Sequence, residues 1–115
     1  MTAAMERLSS GDTVRIREEL HEITGHTLAE VRITRVRWPA GLQWVALPLV
    51  ARLKPTPGRR EVPLGEAGLH RTIAHLLRNA FPHADWSLAQ DYDVTTGVLR
   101  EHTPRVPSCL TSDAR

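Results

Sequence analysis

Six histidines and one cysteine are the side chains of this 115-residue chain best suited to hold a metal or move a proton. The histidines are His21, His26, His70, His75, His83 and His102. Two of their pairs, His21/His26 and His70/His75, are spaced by five residues. Ligands that meet on one helix face need a spacing of three or four. His83, Asp85, Asp91 and Asp93 share one strand parity, but Asp85 and Asp91 would stand about 20 Å apart on an extended strand. The spacings therefore predict no metal site and no cofactor.

Nucleophilic chemistry is just as thinly supplied. Cys109 falls in a stretch punctuated by Pro104 and Pro107, which cannot desolvate or aim a thiolate. Ser9-Ser10-Gly11 and Thr95-Thr96-Gly97 read as turns rather than nucleophile elbows, which need a strand–turn–helix context. Gly65 and Gly68 lack the Lys-Ser/Thr that completes a phosphate loop. Asp91 and Asp93 adjoin a predicted turn, where carboxylates satisfy backbone N–H groups. The residues name no reaction, and a non-enzymatic protein is expected.

What the sequence does offer is a surface. Residues 31–60 hold seven of the fifteen basic side chains, Arg32, Arg35, Arg37, Arg52, Lys54, Arg59 and Arg60, and no Asp or Glu. They also hold Trp38, Trp44 and the longest apolar run, Val45–Leu53. Clustered cations reward a phosphate backbone, and exposed rings stack on unpaired bases. Arg35, Arg37, Trp44, Arg52 and Lys54, extended by Arg59 and Arg60, are the candidate nucleic-acid contacts. The competing reading is a solvated strand face that blunts edge pairing. By contrast, residues 83–102 carry Asp85, Asp91, Asp93 and Glu101 against Arg100 alone. Such asymmetry steers partners, and it says nothing about fold.

The elements that must position these residues follow from periodicity. Ile16, Leu20 and Ile23 make a helical stripe from Asp12, with Asp12 or Thr13 as N-cap and Gly25 as the left-handed terminator. Leu28–Trp38 and Leu42–Leu53 read as a hairpin turning at Pro39-Ala40-Gly41. With Trp38 opposite Gln43, one face carries Val36, Trp38, Val45, Leu47, Leu49 and Leu53, the expected core face. The other carries Arg35, Arg37, Trp44, Ala46, Pro48 and Arg52. Lys54–Pro63 reads as a loop. Leu69, Ile73, Leu76, Leu77 and Ala80 predict a second helix over 65–80, stopped by Pro82. Ala84–Tyr92 and Val98–His102 predict a second hairpin, with Asp91 opposite Arg100.

The order is thus α-β-β-α-β-β. The fold expected is an α+β two-layer sandwich: a four-stranded antiparallel sheet with two helices on one face, like a ferredoxin-like unit whose first strand has moved to its end. A single domain over 12–102 is expected between a flexible arm (1–11) and a disordered tail (103–115). Fourteen Arg against one Lys reflects GC-rich, bacterial-type coding. No signal-peptide pattern and no membrane-length apolar run appear, and a lone cysteine suits a reducing compartment. A cytoplasmic location follows.

Three functions compete. The first is a nucleic-acid-binding accessory or regulatory protein acting through the basic hairpin. The second is a protein-interaction or dimerisation module, an adaptor or inhibitor, using the apolar open sheet face with Trp44, Ala46, Pro48 and Val50. The third is a small enzyme with a site between the first helix and the sheet. The partners expected are nucleic acid or a second copy, with no membrane and no small-molecule ligand.

Overall fold

The computed structural model describes residues 5–39, 41–52 and 58–102. Its elements run β1 (Met5–Arg7), α1 (Ser10–Thr24), β2 (Glu30–Trp38), β3 (Gly41–Arg52), β4 (Gly58–Glu61), α2 (Ala67–Ala80), β5 (Gln90–Asp93) and β6 (Val98–Glu101). The α+β class and the antiparallel sheet are as expected. The sheet, however, has six strands in the order β1-β6-β5-β2-β3-β4, so the four-stranded, ferredoxin-like detail is not confirmed. Both additional strands are short edges. β1 pairs with β6 where a loose arm was expected, and β4 pairs with the end of β3 inside the expected loop. Three- and four-residue edges carry too little periodicity to be seen in a sequence.

α1 starts two residues before the expected Asp12. Its N-cap is Ser9, whose Oγ accepts from the Asp12 N–H at 3.2 Å. Gly25 closes it at φ 74°, as the left-handed C-cap requires. α2 ends with Phe81 N–H still bonded to Leu77 O at 2.9 Å, one residue short of Pro82.

The hairpin register differs from the expected one by two residues: Trp38 pairs with Gly41, Val36 with Gln43 and Thr34 with Val45. An even shift keeps every side chain on its face, so the partition of the two faces stands. Which face is covered is reversed. Val31, Ile33, Ala46, Pro48, Tyr92 and Leu99 are buried on the side where Ile16, Leu20, Ile73, Ala74 and Leu77 of the helices form the core. Of the residues expected in the core, Leu49 is buried, whereas Val36, Val45 and Leu47 lie half-buried on the other face; Leu53 and the Trp38 side chain are outside the description.

The reason is electrostatic and steric. The parity of Leu47 also carries Glu30, Arg32, Asp91, Asp93 and Arg100, paired across β2, β5 and β6. Covering that face would bury several charges, each at several kcal/mol, against about 1.5–3 kcal/mol gained per aliphatic side chain. On the other parity, small Ala46 and flat Pro48 let α2 sit close on β3. Pro48 directs its missing N–H toward β4, while its carbonyl accepts from Val62 N–H at 2.8 Å.

The second hairpin has the expected register, with Asp91 opposite Arg100. Its strands are shorter than expected, and Leu88, expected inside, is 46 % exposed. Asp93 Oδ1 accepts from the Thr95 and Thr96 N–H groups at 2.9 and 3.0 Å, which fixes the turn before Gly97 at φ 74°.

Candidate binding surface

The covered face ends at a rim near the hairpin tip, and Trp44 stands there half-buried. Arg35, its cross-strand partner, lies with Cζ 5.3 Å from the ring centroid. Arg78, from the last turn of α2, lies at 4.7 Å. Trp86 meets the same ring edge-on at 6.4 Å and is itself anchored by Nε1–H donating to Phe81 O at 2.9 Å. Trp44 therefore carries two guanidinium groups against its ring, each such contact contributing about 0.5–1 kcal/mol at a half-exposed site. The open stacking platform expected of it is not what this ring provides.

Beside it runs a groove between β3 and the first half of α2, lined by Leu42, Gln43, Trp44, Gly68, Arg71 and His75. His70, one turn along, is turned into the sheet: its Nδ1 accepts from Ala46 N–H at 3.1 Å, which leaves the ring proton on Nε2.

The structure brings together Arg35 and Trp44 of the sequence-predicted residues. Arg60 is exposed opposite Val50 on β4. Arg37, Arg52 and Arg59 lie in strands, opposite Leu42, Gly58 and Ala51, but their side chains are outside the description, and Lys54 lies outside the described residues altogether. Arg71, His75 and Arg78 were missed. The signal existed, because residues 67–84 contain no Asp or Glu, like residues 31–60. Seeing it required knowing that α2 docks on β3.

A second polar constellation lies on the uncovered face. Asp91 Oδ1 accepts from Arg32 Nε at 2.8 Å, and Asp91 Oδ2 is 2.7 Å from His102 Nδ1. A histidine so oriented has the geometry of a general base, yet its carboxylate is shared with an arginine that spans the neighbouring strand. The triad acts as a cross-strand tie over β2, β5 and β6. Ser9 does occupy a strand–turn–helix position, but its Oγ is occupied in capping α1. Among the described residues no three His, Cys, Asp or Glu side chains converge as metal ligands. Nor is any described helix long and apolar enough to cross a membrane.

Two pKa shifts are resolved. Burial pushes the Tyr92 hydroxyl up to about 12, with Arg17 opposing and Asp93 adding to it. Its Oη has no hydrogen-bond partner among the described residues. The Ser87 hydroxyl, then the Ser87 N–H at 3.0 Å, hold the Asp85 carboxyl below its ordinary range.

No family model, no curated protein and no solved structure matches this chain.

Proposed function

We propose that this is a non-catalytic binding protein whose basic end, formed by the β2–β3 hairpin and α2, contacts the phosphate backbone of a nucleic acid. One observation carries the reading: α2 adds Arg71 and Arg78 to Arg35 at a place where neither contributing stretch holds a carboxylate. Clustered guanidiniums of this kind bind polyanions with strong salt dependence. The test is elution from heparin, and anisotropy with a labelled single strand, for Arg35→Glu/Arg71→Glu. Earlier elution and at least about tenfold weaker binding are expected, with thermal unfolding lowered only by the few degrees that loss of the Arg35–Trp44 contact entails. Wild-type retention by the double variant would remove Arg35 and Arg71 from the contact surface.

A second reading, protein interaction, is favoured by a separate feature, the unpaired outer edge of β3. The face once expected to serve it, with Trp44, Ala46 and Pro48, is covered by the helices. Self-association through a sheet face would instead use the Val36, Val45 and Leu47 side, with light scattering as its test.

A further inference from the structure

β3 is twelve residues long, but β4 pairs only with its last four, Leu49–Arg52. One bond further, Val62 N–H reaches Pro48 O, and His70 takes Ala46 N–H. Alternate residues of a strand turn both backbone groups to the same side. Ala46 and Pro48 thus fix the outward set, and Leu42 and Trp44 belong to it. Among the described residues nothing bonds to the outward groups of Leu42 and Trp44. The free edge from Gly41 to Val45 is about 16 Å long at ~3.3 Å per residue, and it stops where His70 occupies the Ala46 N–H.

The groove over this edge is lined by Gly68, Arg71 and His75 of α2. A side chain built at Gly68 would meet nothing within 4 Å, so the space beside the edge is open. Leu42 is 50 % exposed there. An unpaired strand beside a helix-walled groove is the arrangement that receives an extended peptide as an added strand, with backbone bonds giving affinity and the groove reading alternate side chains.

We infer that the β3 edge takes an extended acidic segment of another protein, laid end to end with β4. Its alternate carboxylates meet Arg71 and His75 in the groove. The inference develops the second reading above. Charge selects the occupant: a neutral segment leaves Arg71 unused, and a second copy of this edge would bring Arg71 against Arg71.

The experiment titrates isotope-labelled full-length protein with an alternating Glu-Val peptide of about five residues, matched to the edge length. The same peptide N-methylated at every second residue, and a single-stranded oligothymidylate, are run beside it. Binding should protect the Leu42 and Trp44 amides from exchange. N-methylation on the bonding side should weaken binding at least about tenfold, since each lost pair leaves a strand group unsatisfied. Gly68→Leu, which fills the groove, should abolish binding without lowering the unfolding temperature. Equal binding of the methylated peptide, unprotected Leu42 and Trp44 amides, or a Gly68→Leu variant that still binds would overturn strand addition. Binding of the oligonucleotide alone would overturn it too, leaving the phosphate-contact reading standing. Binding of neither would remove both.

Discussion

The two ends of this sheet share one core and use charge in opposite ways. At the β5–β6 end, carboxylates do structural work: Asp93 caps a turn, Asp85 caps Ser87, and Asp91 ties Arg32 and His102 across three strands. On α1, Arg15 lies 3.6 and 3.5 Å from Asp12 and Glu19. At the hairpin end, among the described residues, no carboxylate pairs with Arg35, Arg71 or Arg78. Two of these cations rest on Trp44 instead. Cations left without counter-charges keep their full field for a partner, whereas Asp85, Asp91 and Asp93 are already committed internally. The difference is the reason for placing the proposed contact surface at the hairpin end.

The two ends should not be separable, since one core serves both. Leu77 lies fully buried on α2, in the cluster that also contains Tyr92 and Leu99 of the acidic end. Leu77→Asp should cost more than about 4 kcal/mol and unfold both ends in one transition. The check is thermal melting followed by circular dichroism and, separately, by exchange of the Leu99 amide. Survival of Leu99 protection would mean that two units stand where one core is described.

Next in size is the turn that joins β5 to β6. Gly97 is left-handed, and a Cβ there would sit 2.1 Å from Thr13 Oγ1 of α1. Gly97→Ala should cost roughly 2 kcal/mol, about half from backbone strain and the rest from the displaced helix. A chemical-denaturation midpoint reads it directly. Measured against Thr13→Ala alone, which loses the Oγ1–H bond to Ser9 O, the same glycine substitution should cost only its backbone part, because the clashing oxygen is gone. An unchanged cost would show that it lies entirely in the backbone.

These particulars also show what the sequence made legible. α1, α2, the long hairpin and the Asp91/Arg100 register were readable, because each rests on local periodicity or turn chemistry. The covered face was not. β3 alone argues for burying Val45 and Leu47; only the partners Arg32, Asp91 and Arg100, brought alongside by pairing across the whole sheet, reverse the balance, and of that parity Leu49 alone is buried on β3. The proposed contact surface was legible by half for the same reason. Arg35 and Trp44 are local to the hairpin, whereas Arg71 and Arg78 join them through a helix packing that no spacing announces. The free edge of β3 depends on where β4 stops, and a four-residue strand gives no sequence signal.

At the acidic end the core holds one polar group without a partner among the described residues. Tyr92 is fully buried, stacks edge-on against Phe81 at 5.7 Å, and its hydroxyl finds no partner among the described residues. Removing an unsatisfied buried hydroxyl leaves the ring packing intact and releases a desolvation cost. Tyr92→Phe should therefore be neutral or stabilising by up to about 1 kcal/mol at pH 7. At high pH the sign is fixed by linkage. The folded hydroxyl titrates at about 12, the unfolded one near 10. The wild-type tyrosine contributes its full stability below pH 10. Between 10 and 12 the unfolded chain sheds a proton that the folded chain retains, so stability falls as pH rises. Tyr92→Phe lacks that loss and should denature at higher pH than wild type, read as the difference in unfolding midpoint between pH 9 and 11. Parallel alkaline curves would mean that the hydroxyl reaches solvent, and that Arg17, the one cation acting on it, holds an ionised Tyr92 at the acidic end.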